Sequence, residues 1–169
     1  MKSIKIVGKR NIDGFSSKKE KKRKVLENID NEELFLNHRQ IEWVNKLYLE
    51  QHYNGITFAK KELERKIKSY KNQDIAKKKH DAQTLINYDE CLEKLFLSKL
   101  KCYYCKTDCL FLYKNVRDTK QWTLDRLNND IGHTNDNVVI CCLQCNLKRG
   151  RLDDEKFKFT KQMKIIKKY

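Results

Sequence analysis

The chain has 169 residues with 38 lysines and arginines against 23 aspartates and glutamates, which gives a formal net charge of +15 at pH 7. This length allows one domain, or one domain with an appendage. The charge favours a polyanionic partner, with DNA as the default expectation and RNA as an alternative. No run approaches the roughly 18 apolar residues of a membrane-spanning helix, so we expect no membrane partner.

Residues 1–24 form a basic tail that we expect to be disordered. They hold ten basic residues against two acidic ones. The run KKEKKRK is typical of a nuclear localisation signal or of a basic arm that contacts phosphates. It is equally typical of a solvated charge run that has no targeting function.

Residues 25–100 are predicted to be mostly helical. Asp30 and Glu33 have the spacing of a capping box, and apolar residues then recur at helical intervals up to Tyr48. Gly55 interrupts this pattern, and Thr57 is predicted to cap a second, strongly basic helix. Because its apolar positions are few, we expect that helix to be solvent-exposed, with a DNA-facing role as the alternative.

A short third helix is predicted just before the first cysteine pair. Asn87 and Glu90 have capping-box spacing, and an apolar stripe follows them and runs to Cys102. We expect this helix to pack against the cysteine-rich region.

Two cysteine pairs predict a metal site. Cys102 and Cys105 form one C-x-x-C pair, and Cys142 and Cys145 form another. Four thiolates in two close pairs suit a structural Zn²⁺ ion. The alternative is two disulfides, but no apolar leader opens the sequence and odd cysteines remain, so we expect an intracellular, reducing compartment such as a nucleus or a viral or organellar DNA compartment. Cys141 competes with Cys142, but only Cys142 keeps the spacing.

Between the pairs the sequence predicts a hairpin. Trp122–Arg126 is one strand, NNDIGHTNDN is a turn, and VVICC is the returning strand. A short basic helix then ends near Gly150. Acidic residues 153–155 are predicted to open a last helix that packs through Phe159, Met163 and Ile166. The fold class is therefore α+β, with residues 101–169 as a small zinc-stapled unit.

The motifs of this unit resemble those of the HNH endonucleases, the zinc-bound ββα-metal nucleases. The likeness covers residues 102–157 and rests on C-x-x-C, LDR, GHT-x-DNVV, CC-x-x-CN and DDEKF. The resemblance implies a structural zinc and one catalytic Mg²⁺ or Mn²⁺ ion, held by Asp125 and Asn146, with Asn137 bracing the loop.

One position departs from the family pattern. The general base of the family is a histidine directly after the strand aspartate, and this chain has Arg126 there. Arginine cannot accept the proton, but it can clamp a phosphate and stabilise negative charge. His133 in the turn is the nearest candidate base.

We therefore expect a metal-dependent DNA endonuclease that hydrolyses phosphodiester bonds. Three cations are expected to hold flanking phosphates, or else only to solubilise the last helices: Lys148, Arg149 and Arg151. The missing histidine favours the alternative of a catalytically inactive, zinc-stabilised DNA-binding or architectural protein in a nucleoprotein assembly.

Overall fold

The computed structural model describes residues 5, 7–8, 21–23, 32–164 and 166. Within these residues the chain is a mixed helix and sheet protein with five α-helices and a two-stranded antiparallel sheet. A 3₁₀-helix, Glu32–Phe35, comes first, and the elements then follow in this order: α1 Asn37–Tyr48, α2 Ile56–Ala76, α3 Tyr88–Ser98, β1 Trp122–Arg126, β2 Val138–Cys142, α4 Leu143–Arg149 and α5 Asp154–Gln162. No helix in this part of the chain is long and apolar enough to cross a bilayer.

Most of the predicted basic tail lies outside the described residues, so its disorder stays a prediction. Asp30 of the proposed first capping box lies outside them too. Residues 21–23 pair instead with residues 114–116, where the Arg23 N–H donates to the Lys114 carbonyl at 2.8 Å. The Arg23 guanidinium also meets Glu62 of α2 at 2.7 Å.

Helix α1 is joined to the core through a buried glutamine. The Gln40 Oε1 atom accepts hydrogen bonds from the backbone N–H groups of Phe111 and Leu112, at 2.7 and 3.0 Å. Val44 and Leu47 on the same face are buried. Since Gln40 satisfies backbone groups more than 70 residues away, it fixes α1 against the segment that leads into β1.

Helix α2 begins differently from the prediction. Its N-cap is Gly55 with φ +98°, and Thr57 lies inside the first turn. A Cβ atom at residue 55 would come within 2.5 Å of the Trp43 side chain. Glycine is therefore required here both for its positive φ and for the close approach of α1.

The expectation that α2 is solvent-exposed is wrong for one face of the helix. The helix buries Ala59 and Leu63 together with a stripe of polar residues spaced four apart, which we call the polar stripe: Glu62, Lys66, Tyr70 and Asp74. The reason is that these side chains hydrogen-bond to groups of the hairpin and of residues 21–23, so a polar face is buried without losing its partners.

Helix α3 confirms its predicted capping box. The Glu90 N–H donates to Asn87 Oδ1 at 2.9 Å, and the Asn87 N–H donates to Glu90 Oε2 at 2.9 Å. Leu92 and Leu95 are buried in the core that α3 shares with the sheet, as predicted.

The hairpin also confirms its prediction. Strands β1 and β2 pair antiparallel, with Trp122 opposite Cys142 and Asp125 opposite Val139. Trp122 of β1 lies in the core and is 1% exposed. Helix α4 follows β2 at once, because Cys142 is its N-cap and accepts the Cys145 N–H.

Helix α5 forms where the acidic residues predicted it, but its packed face is different. Phe157 is buried, with its ring edge-on to Tyr104 at 5.1 Å. Phe159, Met163 and Ile166 are exposed, so the prediction that they pack is wrong. The helix ends at Gln162, before Met163 and Ile166, and Phe157 is the side chain that it packs against Tyr104.

Candidate functional site

The four predicted cysteines form a cluster. The sulfur atoms of Cys102, Cys105, Cys142 and Cys145 all lie within 4.8 Å of one another, and those of Cys105 and Cys142 are 3.9 Å apart. A tetrahedral zinc with Zn–S bonds of about 2.3 Å would place sulfurs roughly 3.8 Å apart. The donor set therefore fits a metal such as zinc.

The other cysteines lie outside this donor set. Cys141 is buried, and its sulfur lies 3.3 Å from Thr123 Oγ1. Cys91 and Cys109 are fully buried and form no disulfide. The spacing argument that chose Cys142 over Cys141 is confirmed.

The cluster fixes the base of the hairpin. The Tyr103 N–H, in the turn between the first two cysteines, donates to the Ile140 carbonyl of β2 at 2.9 Å. Cys142 ends β2, and Cys145 lies in the first turn of α4. A metal held here would therefore set the position of α4 relative to both strands.

Asp125 of β1 is buried and fully engaged. Its Oδ2 atom accepts hydrogen bonds from the Tyr104 hydroxyl at 2.7 Å and from Arg149 Nε at 2.6 Å. Its Oδ1 atom accepts from Arg149 Nη2 at 3.2 Å. A cation at this carboxylate would have to share it with Arg149 or displace the guanidinium.

Arg149 has a different role from the one predicted. The side chain is 2% exposed, and besides Asp125 it donates to the carbonyl oxygens of Arg126 and Leu152. The guanidinium N–H groups hydrogen-bond inside the protein, so the expected phosphate contact of Arg149 is wrong. Arg149 instead neutralises and orients Asp125. Lys148 and Arg151 are exposed.

Asn146 points toward β1. Its Nδ2 atom donates to Thr123 Oγ1 at 3.1 Å and to the Leu124 carbonyl at 3.2 Å. Among the described residues no hydrogen bond occupies its Oδ1 atom. The carbonyl oxygen of this side chain is therefore free for a ligand.

Asn137 braces the turn between the strands. The Asn128 N–H donates to Asn137 Oδ1 at 2.9 Å, and Asn137 Nδ2 donates to the carbonyls of Asn128 and Gly132 at 2.9 and 3.0 Å. This is the bracing that the resemblance implied. The turn is held from within, so His133 has a defined position.

His133 is held by a residue that the sequence did not single out. Its Nδ1 atom lies 2.8 Å from Asp74 Oδ1, and its backbone N–H donates to Asp74 Oδ2 at 2.7 Å. Arg126 Nη1 lies 3.8 Å from the same carboxylate and donates to the Ile131 carbonyl at 3.2 Å. Burial lowers the pKa of His133, and Asp74 opposes that effect.

One cavity of about 800 Å³ lies between α2 and the hairpin. Its lining includes five of the predicted site residues: Asp125, Arg126, His133, Asn146 and Arg151. It also includes four further cations, all from α2 and the residues after it: Arg65, Lys66, Lys77 and Lys79. Lys148 is not part of this lining. The cavity therefore brings the predicted residues together within a basic wall.

Four residues of the site were missed from sequence. Tyr104 lies between Cys102 and Cys105. Lys66, Tyr70 and Asp74 belong to the polar stripe. The spacing of four places Lys66, Tyr70 and Asp74 on one face of a helix, but the burial of that face depends on partners far away in the sequence.

Comparison with known proteins adds one relative. Over 65 residues the chain is 42% identical to an uncharacterized protein of Acanthamoeba polyphaga mimivirus. The match covers 38% of this chain and 10% of that protein, so the chain spans only a small part of its relative's length. No protein-family model matches the chain, and no solved structure matches it.

Proposed function

We propose that this chain is an endonuclease of the HNH type, which hydrolyses phosphodiester bonds of DNA in the cavity between α2 and the hairpin. The observation that supports it is the convergence of Asp125, Arg126, His133 and Asn146 on that cavity. The strand, strand and helix order beside a four-cysteine cluster agrees with the zinc-stapled ββα unit of that family.

The charge of the cavity suits a nucleic-acid backbone. Six lysine and arginine side chains line it, against one carboxylate, Asp125, which Arg149 already neutralises. Each phosphate neutralised by a cation releases counterions, so binding to duplex DNA should weaken with salt by a slope of about 0.9 per contact. A polyanion is therefore the ligand class that this wall favours.

The residues of the cavity divide the work of hydrolysis between them. His133 takes a proton from the attacking water, whose oxygen forms the new bond to phosphorus. Arg126 stabilises the charge that gathers on the phosphoryl oxygens. The bond from phosphorus to the leaving oxygen breaks, and that oxygen takes a proton from solvent. General-base help of this kind typically contributes about 10²–10⁴ in rate.

A catalytic Mg²⁺ or Mn²⁺ ion would need oxygen donors. Asn146 Oδ1 fits that need. Asp125 does not fit it as it stands, because the Arg149 guanidinium occupies both of its oxygens and repels a dication. We therefore assign no step of the reaction to the ion, and the divalent-ion requirement becomes an outcome of the experiment.

The experiment is supercoiled-plasmid nicking with Mg²⁺, Mn²⁺ or EDTA. We expect wild-type nicking, and a loss of about 10²-fold or more in His133→Ala with DNA binding retained. His38→Ala is the matched control, since His38 is exposed on α1. Nicking by His133→Ala at the wild-type rate would remove His133 from the reaction.

The second candidate is a DNA-binding protein without cleavage. The observation that favours it is the engagement of Asp125 by Tyr104 and Arg149, which gives both oxygens of this carboxylate a hydrogen-bond donor from the protein. Salt-dependent DNA binding with no nicking under any divalent ion would support this candidate and contradict the first. A DNA affinity that stays the same between about 50 and 200 mM salt would contradict both candidates.

A further inference from the structure

We propose that Asp74 of α2 is the positioning residue for His133, so that a helix outside the hairpin completes the general base of the site. This inference rests on the proposed nuclease function for its consequence in catalysis. Its structural part, the fixed tautomer of His133, can be measured without any reaction.

The tautomer follows from the partners of the ring. As a carboxylate Asp74 can only accept hydrogen bonds, so the 2.8 Å contact requires the proton of neutral His133 to be on Nδ1. This leaves Nε2 as the unprotonated nitrogen. Among the described residues no hydrogen bond occupies Nε2, and His133 lines the cavity. The nitrogen that can accept a proton is therefore the one left for the ligand.

Asp74 holds more than the ring. One oxygen accepts the His133 backbone N–H and the other the imidazole, so both ends of the residue are fixed by one carboxylate. The Ile86 N–H donates to the His133 carbonyl at 2.8 Å, and the Tyr70 ring lies 4.7 Å from the imidazole. With Asp74 1% exposed and His133 4% exposed, water does not compete for these contacts.

The turn is shaped to admit the carboxylate. A Cβ atom at residue 132 would lie 3.0 Å from Asp74 Oδ2 and 2.5 Å from the Lys79 carbonyl. Only glycine allows the chain to approach α2 this closely. The glycine of the GHT motif thus serves the contact between His133 and Asp74.

The surrounding charges set the direction of the pKa change on mutation. Burial lowers the pKa of His133, Asp74 raises it, and the cations Arg126 of β1 and Lys77 after α2 lower it. In Asp74→Asn the raising influence is lost while burial and both cations remain. The pKa of His133 should therefore fall further.

The test uses the full-length, zinc-loaded protein with ¹⁵N-labelled histidine and follows the two imidazole nitrogens by NMR as a function of pH. We expect the wild-type ring to carry its proton on Nδ1. Asp74→Asn should lower the titration midpoint and disturb the tautomer, because an amide can donate to Nδ1. Asp81→Asn, an exposed acid after α2, is the matched control and should leave both unchanged.

The kinetic arm measures nicking rate against pH for the same variants. Asp74→Asn should lower the rate by about 10²-fold and move the acidic limb of the profile to lower pH, with DNA binding retained. Asp74→Glu should recover part of the rate. If Asp74→Asn does not fold, Asp74→Glu carries the comparison through its own tautomer and pH profile.

The outcomes separate this inference from the proposed function. A fixed Nδ1–H tautomer that depends on Asp74, without nicking, keeps the positioning role and overturns the nuclease. Nicking that Asp74→Asn and Asp74→Glu leave unchanged in rate and pH profile overturns the positioning role and keeps the nuclease. A wild-type ring protonated on Nε2 also overturns it.

Discussion

Lys66 is a lysine whose ammonium group is buried beside a cavity that should bind anions. It is 8% exposed, donates to the Trp122 carbonyl and lies 3.4 Å from Gln121 Oε1. Burial, followed by the charges of Arg65 and Arg23, lowers the pKa of Lys66 to about 7. A group that changes charge near neutral pH beside the cavity would gain its proton when a phosphate arrives.

Lys66 should make stability depend on pH. Above pH 7 the folded protein loses the Lys66 proton, whereas the unfolded chain keeps it up to about pH 10. Because the unfolded state then binds more protons, the free energy of unfolding should rise with pH across this window. Urea titrations of Lys66→Met should show a much smaller rise.

The control for this prediction is Lys68→Met. Lys68 is on the same helix but exposed, so its removal should leave the rise with pH intact. Equal pH dependence in the wild type and Lys66→Met would show that Lys66 is protonated alike in the folded and unfolded chains.

Tyr104 tests the network that holds Asp125. Its hydroxyl donates to the carboxylate at 2.7 Å inside the protein. Since hydrogen bonds to charged groups contribute about 1.5–3 kcal/mol, Tyr104→Phe should lower the free energy of unfolding by that amount in denaturant titrations. Tyr103→Phe alters the neighbouring, half-buried tyrosine and should cost much less. Equal losses in both variants would contradict the assigned role of the Tyr104 hydroxyl.

At the level of elements, local signals were sufficient for the hairpin and for α3. The strands are bounded by turn residues and the capping box lies within four residues, so each signal is complete in a short window. The burial of α2 could not be predicted in this way. Asp74 and His133 are 59 residues apart in the sequence, and Lys66 and Trp122 are 56 apart. The hydrogen-bond partners that allow this polar face to be buried therefore belong to another element.

The same distinction between local and distant signals applies to the residues of the site. The cysteine spacing predicted the cluster, and the motifs predicted the residues of the hairpin that reach the cavity. The pairing of Arg149 with Asp125 was missed. A basic residue near the end of a short helix predicts an exposed surface charge, and the sequence does not show that this one is buried.

Helix α2 satisfies the open edge of β1. The Leu124 N–H donates to the Tyr70 hydroxyl at 2.9 Å, and the Trp122 carbonyl accepts from Lys66. An edge strand with unpaired backbone groups needs such cover when it is buried. The polar stripe therefore acts as the neighbour that a two-stranded sheet lacks.

Tyr70→Phe tests this cover. The variant keeps the ring but leaves the Leu124 N–H without its acceptor, which should cost about 1–3 kcal/mol of unfolding free energy. Hydrogen exchange should show faster exchange at the Leu124 amide in particular. Tyr48→Phe is the control, since Tyr48 stacks on Phe96 at the surface of α1. Unchanged exchange at Leu124 would show that the hydroxyl is not its partner.

For the molecule as a whole, one core joins the helices to the cysteine cluster. Leu47 of α1, Leu63 of α2 and Leu95 of α3 belong to the same buried cluster as Trp122 and Cys102. The hairpin contributes only two short strands, and a two-stranded sheet is marginally stable alone. The cluster and the helical core must therefore support each other.

This mutual support predicts what removal of zinc does. Structural zinc sites contribute apparent binding free energies of about 10–16 kcal/mol in zinc-finger peptides, whereas whole domains are stable by about 5–15 kcal/mol. We expect one zinc per chain by elemental analysis, and we expect chelation to unfold the helices together with the hairpin. Cys142→Ser should lose the ion, and Cys91→Ser, a buried cysteine outside the cluster, should keep it.

Two tryptophans allow the cooperativity to be measured directly. Trp43 lies in α1 and Trp122 in β1, so Trp43→Phe and Trp122→Phe each leave one reporter, for the hairpin and for the helices respectively. Because both regions share one core, the two fluorescence signals should change at the same free zinc concentration. A Trp122 signal that is lost on chelation while the Trp43 signal persists would mean that the helices fold without the metal. The cluster would then stabilise the hairpin alone, and the contacts of α2 with β1 and His133 would form only after zinc is bound.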